Sequence, residues 1–199
     1  ADYEQYGYDA NGNRTSLRKR DGSVLAYQYD ALNRNIVKIV PERAGLAATH
    51  TRDVYYGYDN RGLQTHARFD SVSGEGVTFT HDGFGRQTAS TLVMDGVSRS
   101  LGYQWDKNSN RTHITHPDNQ SFFTEFDGLD RERVLYEGAN NAKYMVQHLY
   151  NTRGSRSQTI KRYGNYTSYH QDNVGRLIES SHSFIGGVGT GTWQYGYNS

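Results

Sequence analysis

Tyr6-Gly7-Tyr8-Asp9-Ala10-Asn11-Gly12-Asn13-Arg14 sets a pattern that the rest of the chain repeats. Its tyrosine-aspartate core recurs as Tyr27-Gln-Tyr29-Asp30 and Tyr56-Gly-Tyr58-Asp59. Looser copies are Phe79-Thr-His81-Asp82, Tyr103-Gln-Trp105-Asp106, Thr124-Glu-Phe126-Asp127, His148-Leu-Tyr150-Asn151 and Tyr169-His-Gln171-Asp172. A ninth, Tyr195-Gly-Tyr197-Asn198, stands at the end of the sequence. The anchor Asp or Asn residues lie 21, 29, 23, 24, 21, 24, 21 and 26 residues apart. Such a period marks a repeat architecture, in which each unit is one supersecondary element.

Local chemistry says which element. Two aromatics spaced two apart share one face of a strand. The Asp ends that strand, because its carboxylate accepts hydrogen bonds from backbone N–H groups of a turn. Three residues past the anchors stand Gly12, Asn33, Gly62, Gly85, Ser109, Asp130, Gly154 and Gly175. All but Ser109 are types that tolerate the left-handed backbone of a tight hairpin. Two turn types alternate. One runs Asp9 to Arg14, Asp59 to Gln64, Asp106 to Arg111 and Asn151 to Arg156. The other is a residue shorter and holds an apolar residue: Asp30-Ala-Leu-Asn-Arg34, Asp82-Gly-Phe-Gly-Arg86, Asp127-Gly-Leu-Asp-Arg131 and Asp172-Asn-Val-Gly-Arg176. The structural unit is therefore a pair of hairpins. Each Arg restarts a strand, its stem over an aromatic ring and its head on a carboxylate or water.

Each interval holds two strands of about six residues and two short turns. Second turns read at Asp21-Gly22, Asp95-Gly96, Pro117-Asp118-Asn119 and Gly164-Asn165, and the longest interval carries a loop at Pro41–Gly45. The expectation is an all-β chain of about 17 tandem antiparallel strands, over residues 1–199 as a single array of eight complete repeats and one truncated. So long a ribbon is expected to curl or spiral. Equivalent tyrosines would stack from hairpin to hairpin as aromatic ladders of ~0.5–1 kcal/mol per pair.

Composition agrees. Of 199 residues only 34% are hydrophobic, yet 13% are aromatic, including 17 Tyr. Mean hydropathy is −0.89. Stacked repeats rich in rings can replace a globular core. A net charge of +1 gives no field toward nucleic acid. No apolar run is long enough for a transmembrane helix, and the first residues do not read as a signal peptide. Without cysteine there is no disulfide, thiolate zinc site or cysteine nucleophile.

These residues resemble the YD-repeat, or Rhs-repeat, family, over essentially the whole chain. The match is good at residues 6–15, 27–36, 56–65 and 103–112. What the resemblance implies is a β-hairpin ribbon wound into a hollow shell. In bacterial Rhs proteins and the C component of insecticidal Tc toxins, that shell encloses a C-terminal toxic domain. In teneurins a related barrel belongs to an adhesion ectodomain. The Asp-Pro-x-Gly-like self-cleavage segment of such shells is absent, the only prolines being Pro41 and Pro117. Both ends fall at repeat boundaries without distinct caps, so the chain reads as a piece of a longer array.

The signature residues are structural on this reading. They are Tyr6, Tyr8, Asp9, Gly12, Arg14, Tyr27, Tyr29, Asp30, Arg34, Tyr56, Tyr58, Asp59, Gly62, Asp82, Gly85, Arg86, Tyr103, Trp105, Asp106, Arg111, Asp127, Arg131, Tyr150, Asn151, Gly154, Asp172, Gly175 and Arg176. A catalytic site is one constellation and not nine equal ones, so no catalytic residue, cofactor or metal is expected. His81 and His148 take aromatic positions and read as packing residues. His113 and His116 fall on opposite strand faces, which speaks against a shared metal. The glycine-rich stretch Ile185–Thr192 fits no phosphate-binding motif and reads as a loop. Asn13, Asn110, Asn119 and Asn165 begin weak glycosylation sequons.

Two functions follow as expectations. The first is a non-catalytic segment of a secreted or cell-surface, bacterial shell. Its partners would be the rest of the array and an enclosed toxin or effector. The alternative is a carbohydrate- or cell-surface-binding module, with Trp105 and Trp193 as sugar-stacking residues.

Overall fold

The computed structural model describes residues 2–138, 143–185 and 189–197. Among these are seventeen strands and two short 3-10 turns, Ala48–His50 and Arg162–Gly164. No helix is long and apolar enough to cross a membrane among the described residues. The chain divides into two compact units, residues 1–101 and 102–199.

The first unit contains β1 (Gln5–Tyr8), β2 (Arg14–Arg18), β3 (Val24–Tyr29), β4 (Asn35–Ile39), β5 (Val54–Tyr58), β6 (Gln64–Phe69), β7 (Gly76–His81) and β8 (Gln87–Met94). Each pairs antiparallel with the next. The division falls within β9 (Val97–Trp105). The second unit continues with β10 (Arg111–Thr115), β11 (Ser121–Phe126), β12 (Glu132–Glu137), β13 (Lys143–Tyr150), β14 (Arg156–Lys161), β15 (Tyr166–Gln171), β16 (Leu177–Ser183) and β17 (Thr190–Gln194). It too is an antiparallel meander in sequence order.

The turns fall where the sequence places them. Asp95 and Gly96 both have positive φ, 52° and 72°, as a two-residue hairpin of twisted strands requires. The turn expected at Gly164-Asn165 sits one residue earlier, where Tyr163 (φ 70°) and Gly164 (φ 79°) take the left-handed conformation. Residues 40–53 form the long connection, with the first 3-10 turn inside it. Of the glycine-rich stretch, residues 186–188 lie outside the described residues, while Thr190–Thr192 begin β17 instead of a loop.

Burial is thin and two-sided. The buried apolar side chains are Leu25, Val37 and Val134, beside the polar His148, Thr159, Thr167 and Ser180. Leu25 shares a strand face with Tyr27 and Tyr29, whereas Val37 pairs with Gln28 on the opposite face. Strand geometry thus splits the apolar burial between two faces, neither of which is closed by a second layer within its unit.

Candidate functional site

The anchored turn is the motif the copies share, and among the described residues its bonds are the same at all eight anchors. At Asp9 the backbone N–H donates to the Asn13 carbonyl (2.9 Å), and Gly12 N–H donates back to the Asp9 carbonyl (3.1 Å). Oδ1 of Asp9 accepts from the N–H of Asn11 (3.0 Å) and of Asn13 (2.8 Å). The same four bonds recur at Asp30, Asp59, Asp82, Asp106, Asp127, Asn151 and Asp172. Asn151 substitutes for Asp because its amide oxygen accepts the same pair. This is a type I turn followed by a left-handed residue. All eight residues at the fourth place have positive φ: Gly12, Asn33, Gly62, Gly85, Ser109, Asp130, Gly154 and Gly175. Ser109, the apparent exception, obeys the geometry at φ 69°.

The two turn types differ in what holds the other carboxylate oxygen. In the shorter type Arg Nε bonds Oδ2 at 2.7 Å: Arg34 to Asp30, Arg86 to Asp82, Arg131 to Asp127 and Arg176 to Asp172. In the longer type Asn13 and Asn110 serve Asp9 and Asp106, and Arg61 serves Asp59. The electrostatics follow. The Arg131 guanidinium, with the turn's N–H groups, holds the Asp127 carboxyl down to about 2 despite partial desolvation. Side-chain hydrogen bonds lower Asp9, Asp30 and Asp172 first. At Asp59 and Asp82 burial pushes upward, but the hydrogen bonds of the turn outweigh it.

Neighbouring turns are tied together, which the sequence reading missed. Asn11 and Asn13 both donate to Asn33 Oδ1 in the next turn (3.2 and 2.8 Å). Arg34 reaches the Asp59 carbonyl (3.1 Å) and Arg61 the Asp82 carbonyl (2.7 Å). In the second unit Asn108 and Asn110 bond Asp130 Oδ1, and Arg153 reaches the Asp172 carbonyl. The signal was present in the alternation of Asn and Arg after each anchor. Sequence alone does not say that these side chains point across to the next turn.

The tyrosines also act differently from expectation. A bulge stands at every one of the eight anchors, as between Gln28 and Tyr29. Ladders between hairpins stop short of the turns: β4 and β5 pair at Val37 and Lys38 but no nearer the Asp30 turn. The carbonyl left over accepts from the second aromatic of the next copy. Tyr29 Oη bonds the Arg14 carbonyl (3.0 Å), Tyr58 the Asn35 carbonyl (2.9 Å), Tyr150 the Glu132 carbonyl (2.6 Å) and Tyr197 the Leu177 carbonyl (2.7 Å). Gln171 makes the equivalent bond to the Arg156 carbonyl (2.9 Å). Asn198, anchor of the last copy, lies outside the described residues.

The expected tyrosine ladders are not what fills the face. Equivalent rings lie two strands, roughly 10 Å, apart, beyond stacking reach. Among the described residues tyrosine rings meet arginines instead. The guanidinium carbon of Arg14 is 4.8 Å from the Tyr27 centroid and 5.9 Å from that of Tyr6. Arg34 covers Tyr58 (4.8 Å), Arg131 covers Tyr150 (4.1 Å), Arg176 covers Tyr197 (4.8 Å) and Arg111 lies 5.6 Å from Tyr103. Such contacts contribute ~0.5–1 kcal/mol each when exposed.

The histidines are embedded in packing. His148 is buried, its Nδ1 3.1 Å from Thr159 Oγ1. His113 stacks on Phe123 (3.9 Å) and His116 lies edgewise on Phe122 (5.4 Å), neighbours on opposite faces of β11. Burial lowers the imidazoles of His66, His113 and His148. Among the described residues no three metal-ligating side chains cluster. The two tryptophans do not form one platform. Trp105 is half-buried on β9, and Trp193 on β17 is 53% exposed with its edge against His182 (4.7 Å).

Comparison with known proteins agrees with this geometry. The RHS repeat family model matches residues 5–38. A comparison with curated proteins finds no match. Similar solved structures include TcdB2-TccC3-TEV, with TM-score 0.52 and 17% identity over 98% of this chain. TcdB2-TccC3 without its hypervariable C-terminal region gives 0.50 and 16% over 96%. The Photorhabdus luminescens Tc holotoxin pore gives 0.51 and 16% over 96%. The chain spans 12% of the length of each of these.

Proposed function

We propose that this chain, whose repeats resemble the YD/Rhs family and match its model at residues 5–38, serves as a stretch of shell wall enclosing a polypeptide. The carrying observation is the turn-to-turn lattice. Each of the eight described anchors is locked within its own turn and most are bonded to the next, so a sheet one layer thick is held along its edge without a core. Both faces stay wettable, which suits a wall that must contain a chain without binding it through one tight apolar interface. The partners are further repeats of the same array and an enclosed C-terminal toxin or effector domain. The segment itself carries no catalysis, and it works in a secreted or cell-surface, bacterial protein. Support comes from the repeat-family match and from structural neighbours described as Tc toxin assemblies, one with a hypervariable C-terminal region.

The test is limited proteolysis of the full-length precursor. The domain downstream of the array should resist protease while the array is folded and become labile when it is unfolded. Cleavage of that domain at the rate of the isolated domain, with the array intact, refutes containment.

A further inference from the structure

The shorter anchored turn holds an apolar residue two places past its Asp, at the tip of the turn. Leu32 is 69% exposed, Phe84 87%, Leu129 71% and Val174 76%. The longer turn has Asn11, Arg61, Asn108 and Arg153 at that place. Those polar tips are bonded to the neighbouring turn. The apolar tips keep most of their surface in water, and Phe84 meets only the guanidinium of its own turn's Arg86, 5.3 Å from the ring centroid. Scattered apolar side chains on a surface are ordinary, but an apolar residue at the most exposed place of the same turn, in all four copies, marks a contact.

The anchored turns of the first unit all lie along one edge of its sheet, because an antiparallel meander returns to the same side at every second turn. Leu32 stands on the β3–β4 turn and Phe84 on the β7–β8 turn, ~19 Å apart at the usual strand spacing. Arg61 stands between them on the β5–β6 turn. This edge is close to neutral: Arg34, Arg61 and Arg86 each sit on the Asp of their own turn. Asp9, one anchored turn before Leu32, is held by Asn13 and has no basic partner among the described residues. The second unit repeats the spacing between Leu129 and Val174, but there Asn151 takes the place of the Asp and Arg153 has no carboxylate in its own turn. The opposite edge of the first unit also exposes Leu46 and Val72, but it carries the long connection 40–53, exposed from 42 to 50, and offers no regular row of tips.

We propose that the anchored-turn edge of the first unit docks edge to edge on the same edge of a second copy of this chain, with Leu32 and Phe84 closing on their counterparts. A partner must offer apolar groups at the same interval, and a second copy does so by construction. The paired charges give no field to repel it. Any alignment that matches the apolar tips sets Arg61 against Arg61, which the Asp59 partners permit. The same joint through the second unit would set Arg153 against Arg153 without a carboxylate in either turn, a like-charge contact that disfavours it. Two tips a side make a small joint, in the class below about 1,000 Å², so the dimer is weak and concentration-dependent. The inference does not depend on containment, since edges join whether or not a wall encloses a polypeptide.

The experiment is sedimentation equilibrium of the 199-residue chain, loaded from about 10 to 500 µM, the range of a weak interface. Monomer–dimer exchange is expected. Leu32→Ser and Phe84→Ser should each weaken it roughly fivefold or more, and Phe84→Leu should retain it. Leu129→Ser and Val174→Ser together should change it less than about twofold. The turn's own bonds run from backbone N–H groups to the Asp, so circular dichroism of the Ser variants should match the parent. Raising NaCl from about 50 to 500 mM should not weaken the dimer, because screening acts on charges. A chain that stays monomeric throughout overturns the proposal, whatever the variants do. A dimer indifferent to Leu32→Ser and Phe84→Ser overturns the site, an equal loss from the second-unit pair overturns the choice of edge, and loss in salt overturns the apolar joint.

Discussion

Tyr56 and Tyr58 stand two apart on β5, share a face and are both half-buried. Burial raises both phenols. They differ in one bond: Tyr58 Oη donates to the Asn35 carbonyl at 2.9 Å, while Tyr56 Oη has no partner among the described residues. The Asn35 carbonyl lies beyond the last β4–β5 ladder pair, so no strand N–H replaces the phenol. Removing the Tyr58 hydroxyl by Tyr58→Phe should therefore cost about 1 kcal/mol, the usual worth of a neutral hydrogen bond. Tyr56→Phe should stay within about 0.5 kcal/mol of the parent. With a urea dependence of about 1–3 kcal/mol/M, Tyr58→Phe should lower the unfolding midpoint by roughly 0.3–1 M at unchanged slope. Circular dichroism in urea measures both variants. Equal shifts, or a larger loss for Tyr56→Phe, would refute the assignment of the second aromatic as a bulge clamp. Tyr29→Phe, which strips the Arg14 carbonyl, should repeat the Tyr58 result.

Acid should destabilise the fold in two steps. Burial lowers the imidazoles of His66, His113 and His148 from 6.5, so their contribution is complete above that value and fades as pH falls through their folded values. Asp9, Asp30, Asp59, Asp82, Asp127 and Asp172 titrate lower in the fold than their ordinary 3.8, Asp127 at about 2, so their contribution is complete above 3.8 and is lost as pH falls through their folded values. A urea midpoint flat from pH 7.5 to 5 would contradict the first step. Gly57→Ala would drive a Cβ into the His66 ring. It should cost about 1–3 kcal/mol by overpacking, and relief by adding His66→Ala checks the cause in the same urea assay. Gly62, at φ 85° with open space around it, should lose about 1 kcal/mol on substitution by Ala. Gly83, open and without that φ, should lose almost nothing, so a thermal melt ranks the two.

The repeat made the secondary structure legible. A tyrosine pair at spacing two, an Asp that caps its own turn and a residue suited to positive φ are all local chemistry, and they located the hairpins and the left-handed positions. Even Ser109 could be assigned by its place in the period. Local patterns cannot show what meets across strands, and there the reading failed. It placed the tyrosines against one another, but equivalent rings are separated by an intervening strand, whose Arg fills the gap.

The amino-acid sequence by itself determined that this chain is a ladder of hairpins and where each Asp- or Asn-anchored one bends, because the bonds closing such a turn join residues within four positions of each other. Only the tertiary structure decided that the bulge carbonyls are closed by tyrosines from the following hairpin and that neighbouring turns are tied by Asn and Arg. Those contacts join residues some 15 to 25 positions apart, and their geometry is set by strand spacing and bulge register, which no single repeat contains.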